Sequence, residues 1–201
     1  PVFVDIDPQT FNIDYKLIEN LITRKTKAII PVSLFGQTAE IDEINKIAKK
    51  NKLIVIEDAA QSFGALYKRN KSCNITDIAC TSFFPSKPLG CYGDGGAVFT
   101  NNYGLFNKIK ILRNHGQNSK YDYSHIGING RLDTLQAAIL NIKLKYLDDE
   151  IKLRSNVVIK YNNILSGIDI KIPFISKNCN SVFAQYSILT SKREKIISCF
   201  Q

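Results

Sequence analysis

Leu53-Ile54-Val55-Ile56-Glu57-Asp58-Ala59-Ala60-Gln61-Ser62 carries the reading of this chain. A nearly continuous apolar run rich in Ile and Val suits a strand buried on both faces of a parallel sheet, because helices cover such a sheet above and below. The run ends on two carboxylates. That places Asp58 at the carboxyl end of the strand, the edge at which open α/β sheets bind ligands. Gln61 follows three residues on, and the two alanines between leave room for a flat ligand to approach. Taken alone, Asp58 also reads as a strand-end residue capping the next turn.

Upstream, Val2 to Asp5 and Ala28 to Ser33 repeat the apolar pattern and are expected to be strands. Between the runs, Asp14 is placed to cap a helix carrying Leu17, Ile18, Leu21 and Ile22, and a second helix from about Glu40 carries Ile41, Ile44, Ile47 and Ala48. Strand, helix, strand, helix, strand implies βαβ units. Downstream come short strands near Ile78 to Phe84 and Gly96 to Thr100, a helix near Tyr103 to Arg113 and a polar loop from His115 to Gly130. A long helix from about Leu132 to Leu165, interrupted near Glu150, and a strand-like Ser181 to Thr190 complete the pattern. The expected fold is α/β, a mainly parallel mixed sheet covered by helices. Residues 1–145 are expected to form part of a large domain, and 146–201 a connecting long helix with an incomplete small C-terminal α/β domain.

Composition narrows the function classes. The 201 residues are 44% hydrophobic and 22% charged, enough for one sizeable core and unlike a disordered or collagen-like chain. No apolar run approaches the roughly 20 residues of a membrane span, and Pro1 to Asp5 is not the charged start of a signal segment, so no membrane partner and a cytoplasmic location are expected. The balance of 27 Lys+Arg against 18 Asp+Glu gives a net charge of +9. Those lysines are scattered with Ile and Asn along the chain instead of clustering in one segment, so biased composition suffices and no nucleic-acid partner is expected. The 5 cysteines form no CxxC pair, which argues against a metal site and against a full disulfide framework and favours reduced thiols. There are 0 Met, so a chain beginning at Pro1 is expected to be an interior stretch of a longer protein.

A second constellation, Thr81-Ser82-Phe83-Phe84-Pro85-Ser86-Lys87-Pro88-Leu89-Gly90, again closes an apolar strand. The prolines flanking Ser86-Lys87 restrict the loop, and the glycines of Gly90-Cys91-Tyr92-Gly93-Asp94-Gly95-Gly96 permit positive φ and close backbone approach. By itself Lys87 reads as a solvated lysine, and the glycine run as a tight turn. Together with Asp58 the loop gains a specific meaning. A lysine of pKa near 10.4 is neutral in only about one molecule in two thousand at pH 7, so a Schiff-base lysine needs a supporting environment. Pyridoxal phosphate also needs a carboxylate beside its ring nitrogen, because the protonated ring is the electron sink. Asp58 and Lys87 on neighbouring strand ends suit those two functions, and Ser82 suits the phosphate.

At these residues the sequence resembles the sugar-nucleotide aminotransferases of the DegT/DnrJ/StrS group, which have the fold type I pyridoxal phosphate architecture. The resemblance is carried, in family order, by Val4-Asp5-Ile6-Asp7, Ile30 to Gln37, Glu57 to Gly64, Ser82 to Gly90, Gly93-Asp94-Gly95-Gly96, His115-Gly116 and Arg131 to Ala138. It implies that Lys87 bonds the pyridoxal 5'-phosphate and shuttles the proton, that Asp58 pairs with the ring nitrogen, that Gln61 lies beside the ring and that Ser82 binds phosphate. Asn129 would reach across a homodimer interface to the neighbour's phosphate, while Ser86 and Arg131 would lie near the nucleotide sugar; Arg131 alone also reads as a salt bridge at the start of the long helix.

Ser72-Cys73-Asn74, Ala79-Cys80-Thr81, Gly90-Cys91-Tyr92-Gly93 and Ala184-Gln185-Tyr186 are most similar to members that act on UDP-2-acetamido-2-deoxy-3-oxo-glucuronate. Those members use glutamate as amino donor, for bacterial surface polysaccharide such as O-antigen. Family members extend well beyond both ends of residues 1–201, so little transaminase activity is expected from this stretch alone. The competing expectations are an aminotransferase for a 4-keto-6-deoxy nucleotide sugar, a sugar 3-dehydratase of the same fold (which Lys87 argues against, since histidine replaces the lysine there), an inactive remnant, and a regulatory protein of this fold.

Overall fold

The computed structural model describes residues 1–200. Its central sheet has four strands in sequential order, β1 (Ala28–Ile29), β2 (Ile54–Asp58), β3 (Ile78–Ser82) and β4 (Gly96–Phe99). The first three run parallel and β4 is antiparallel to β3. Asp58 pairs with Cys80, and Ser82 pairs with Gly96. Side chains alternate between faces along a strand, so Val55, Glu57, Ala79 and Thr81 share one face while Ile56, Asp58, Ile78, Cys80 and Ser82 share the other.

The first of these faces is the core. Ile29 and Val55 pack there with Ile18 of α1 (Tyr15–Ile18) and with Ile41, Ile44 and Ala48 of α2 (Ile41–Lys50). Asp14 caps α1 as expected, its side chain accepting from the Lys16 N–H. In α2 the acidic Asp42 and Glu43 occupy the first turn and Lys49 and Lys50 the last, each complementing the helix dipole. Then follow α3 (Tyr103–Arg113), at the expected bounds, α4 (Thr134–Lys143), α5 (Leu147–Leu165) and the short α6 (Arg193–Cys199). A second core cluster joins Phe83, Leu89 and Cys91 to Leu140 of α4 and Leu147 of α5.

Several expectations are corrected. Val2 to Asp5 forms no strand, and Phe3 is 88% exposed. The chain there folds back on a local turn, with Asp7 Oδ1 accepting from the Gln9 and Thr10 N–H groups, and only an isolated bridge joins Ile6 to Ile13. The β1 ladder stops at Ile29, just short of Pro31, which has no N–H to donate; pairing resumes as one bridge between Val32 and Asp58. Burial on both faces holds for one face only, since Ile30, Val32, Ile54 and Val98 are exposed.

The long helix breaks at a 3₁₀ turn over Leu144–Tyr146 and not near Glu150. Glu150 instead shares the first turn of α5 with Asp148 and Asp149, where carboxylates favour a helix start. Ser181 to Thr190 is not a strand: the strand is Cys179–Asn180, antiparallel to Leu66–Tyr67, which pairs in turn with Asn70–Lys71. Beyond it the backbone is engaged elsewhere, Val182 donating to the Gly36 carbonyl and Phe183 to the Ser181 hydroxyl. The polar loop after α3 contains a small hairpin, Gln117–Ser119 with Asp122–Tyr123.

The segment from Ser33 to Thr38 ties these parts together. Buried Asn12 donates to the carbonyls of Gln37 and Thr38 and accepts from the Leu34 N–H, while Gln37 donates to the Phe174 carbonyl and accepts from the Ser176 N–H. Gly36 has φ +110°, and a β-carbon there would lie 2.6 Å from the Phe183 nitrogen. Gly36→Ala is therefore expected to lose on the order of 1–3 kcal/mol from backbone strain alone, and more from the clash. The midpoint of urea unfolding measures it; an unchanged midpoint would contradict this account of the turn.

Candidate functional site

Asp58 ends β2 half-buried, on the face opposite Glu57. Its carbonyl accepts from the Ser33 N–H at 2.9 Å and its N–H donates to the Pro31 carbonyl at 2.9 Å, so the backbone is fixed from the β1 side. Its carboxylate accepts only from the Ala60 N–H, at 3.0 Å, among the described residues, and no cation pairs with it. A strand-end carboxylate that is held in place yet not neutralised can still receive a cationic group.

Ser82 ends β3 on the same face, two residues beyond the partner of Asp58. Its hydroxyl accepts from the Phe84 N–H at 3.2 Å, which leaves its own proton available to an anion. Lys87 lies five residues further along, half-buried in a tight loop closed by its N–H on the Phe84 carbonyl, at 2.9 Å. The Lys87 amine has no ion-pair or hydrogen-bond partner among the described residues, which is the state a nucleophilic or proton-carrying amine requires. Gly90 allows the loop to close on itself, since a β-carbon there would lie 2.5 Å from the Pro85 carbonyl oxygen.

That loop is clasped from outside. Buried Cys91 donates its N–H to the Phe83 carbonyl at 2.8 Å, and its sulfur lies 3.0 Å from that oxygen. Lys143 of α4 donates to the Gly90 carbonyl, Arg154 of α5 donates to the Pro88 carbonyl at 3.3 Å, and Gln136 accepts from the Tyr92 N–H at 2.9 Å.

Gln61 sits just past Asp58, and its amide oxygen accepts from the Phe35 N–H at 2.9 Å. The amide NH₂ has no hydrogen-bond partner among the described residues. Phe35 has φ 57°, an uncommon conformation for an aromatic residue, and Gln61 is one of the contacts that stabilise it. Asn129 and Arg131 are exposed and paired with one another, Arg131 Nε donating to Asn129 Oδ1 at 3.0 Å. No salt bridge to Arg131 is present among the described residues. Ser86 is exposed beside Lys87. Asp58 and Ser82 thus end neighbouring strands on one face of the sheet and Gln61 and Lys87 lie in the loops that follow them, whereas Asn129 and Arg131 stand on the separate segment that leads into α4.

The sequence reading missed Glu57. The residue is fully buried, accepting from the hydroxyls of Ser33 and Ser72 at 2.8 and 2.9 Å and from the Cys73 N–H at 2.9 Å. The signal that could have found it is parity: if Asp58 faces the ligand edge, Glu57 must face the core, where it needs donors. The cysteines are free, with Cys73, Cys91 and Cys179 buried and Cys199 exposed.

The model of the DegT/DnrJ/EryC1/StrS aminotransferase family matches residues 1–201. The chain belongs to that family. Among curated members, UDP-2-acetamido-2-deoxy-3-oxo-D-glucuronate aminotransferase of Pseudomonas aeruginosa is 56% identical over 196 residues, 98% of this chain and 55% of that protein. Of the solved family structures, a DegT/DnrJ/EryC1/StrS aminotransferase from Brucella abortus superposes with a TM-score of 0.95 at 41% identity, over 98% of this chain and 55% of that one. NtdA from Bacillus subtilis, with bound cofactor PMP, gives 0.85 at 35% identity, over 98% and 46%. The chain spans about half the length of the curated relatives it matches.

In this family member Cys80, paired with Asp58, has its thiol pKa raised first by burial and then by the Asp58 charge. Asp58→Asn removes the second cause, so the rate of Cys80 alkylation is expected to rise at lower pH than in the parent protein. Peptide mass spectrometry across a pH series measures it, and coincident profiles would place the Asp58 charge away from Cys80.

Proposed function

We propose that this chain forms part of a pyridoxal phosphate-dependent aminotransferase that moves the amino group of glutamate onto a keto nucleotide sugar. The observation that supports the reading is Asp58 at the end of β2 and Lys87 in the loop that follows the neighbouring strand β3, with no ion pair to either among the described residues. The donor set fits the cofactor: an open carboxylate for the ring nitrogen, a free amine, a hydroxyl with its proton available, and an amide NH₂ left free by the Phe35 contact. When bound there, pyridoxal 5'-phosphate supplies an electron sink for a carbon that loses and regains a proton.

The chain's own residues divide the remaining work. Asp58 would pair with the ring nitrogen and favour a proton there, which preserves the sink. Lys87 would provide the amine that holds the cofactor and, at Nζ, a group able to take up and return a proton, while Ser82 would donate to the phosphate and Gln61 would lie against the ring. Asn129 reaches the phosphate held by the partner subunit of a homodimer. Ser86 and Arg131 face the sugar nucleotide, for which the guanidinium is suited by its paired donors. Residues 1–145 belong on this reading to the large cofactor-binding domain, and 146–201 to the connecting helix and part of the small one.

The sugar is UDP-2-acetamido-2-deoxy-3-oxo-glucuronate, aminated at carbon 3 in the cytoplasm for surface polysaccharide; the 56% identity to the Pseudomonas aeruginosa enzyme supports this choice. The full-length protein, given glutamate and a panel of 3-keto and 4-keto nucleotide sugars, is expected to aminate the 3-keto uronate. Mass spectrometry of the products decides, and amination of 4-keto sugars alone would overturn the assignment.

A further inference from the structure

Glu57 is 0% exposed, and no cation pairs with it among the described residues. Its partners are neutral donors, and the two serines among them lead back to the candidate site. Ser33, whose hydroxyl donates to Glu57 Oε1, also gives its N–H to the Asp58 carbonyl. Two residues on, Phe35 gives its N–H to the Gln61 amide oxygen. Gln61 is followed by buried Ser62, whose hydroxyl lies 2.8 Å from that of Ser72. Since the Ser72 proton goes to Glu57 Oε1, Ser62 is the donor in that contact.

These contacts close a ring from Glu57 through Ser33, Phe35, Gln61, Ser62 and Ser72 back to Glu57. Gln61 is gripped on both sides, and Asp58 through its own carbonyl. We infer that Glu57 is a positioning residue, which holds Asp58 and Gln61 in the orientation the cofactor ring requires. The inference rests on the reading above that those two residues meet the ring. Cys73 marks the same carboxylate independently: its N–H donates to Glu57 Oε2, and burial together with the Glu57 charge pushes its thiol up to about 12.

The test uses the full-length protein and the variants Glu57→Gln and Ser62→Ala. Glu57→Gln keeps the shape but sets an amide NH₂ where one carboxylate oxygen stood, so that either the Cys73 N–H at Oε2 or the two hydroxyls at Oε1 lose their acceptor, whereas Ser62→Ala opens the ring and leaves all three donors to Glu57 in place. Both are expected to bind pyridoxal phosphate roughly tenfold or more weakly, as happens when a supporting partner of a binding group is lost, with the smaller effect in Ser62→Ala. The pH at which the bound cofactor's visible absorbance changes should move as well, which a purely structural role would not produce. Parent affinity and an unchanged midpoint in Glu57→Gln would overturn the proposal. If Glu57→Gln does not fold, the same result in Ser62→Ala would overturn it. A parent protein that takes up no pyridoxal phosphate would instead refute the functional reading, and this inference with it.

Discussion

Glu57 and Asp58 are consecutive in an extended strand and must therefore point to opposite faces of the sheet. One carboxylate enters the core and the other remains at the ligand edge. Burying an unpartnered ion costs on the order of several kcal/mol, so the inward carboxylate dictates its surroundings. Two serine hydroxyls and one N–H converge on Glu57 from segments 24, 15 and 16 residues away in sequence. Those segments are the turn after β1 and the stretch before β3, so satisfying one buried charge also fixes the loops that frame the edge on both sides.

The Lys87 loop is secured by a different principle. It has no regular ladder of its own, and its carbonyls would be orphaned without external donors. Cys91, Lys143 and Arg154 supply them, two from helices that lie far ahead in the chain. The apolar cluster of Phe83, Leu89 and Cys91 with Leu140 and Leu147 holds those helices against the loop. The amine consequently projects from a loop fixed underneath while making no contact that would neutralise it, the combination of rigidity and availability that a reacting group needs.

Much of this was legible in the residues themselves. The apolar runs of β2 and β3, the period of α2, the Asp14 cap and the bounds of α3 all follow from local pattern, and local pattern survives folding where burial agrees with it. The same pattern puts Asp58 at the end of β2 and Lys87 in the loop after β3, the neighbouring strand. Val2 to Asp5 has strand composition but pairs with no strand among the described residues, its Asp5 carbonyl accepting from the Asp14 N–H, and within Ser181 to Gln185 the N–H groups of Val182 and Gln185 go to the carbonyls of Gly36 and Phe35. Neither outcome follows from strand composition, the first because no neighbouring strand takes it up and the second because its partners are distant in sequence. Glu57 escaped notice because a carboxylate at a strand end reads as polar surface until the facing of its neighbour is settled.

The claim on which the whole account stands is that Lys87 and Asp58 together form the cofactor site. The most direct measurement is borohydride reduction of the full-length protein with pyridoxal phosphate, followed by proteolysis and mass spectrometry. A pyridoxyl mass is expected on the peptide containing Lys87, and its loss in Lys87→Ala. The label on another lysine, or its persistence in Lys87→Ala, would contradict it.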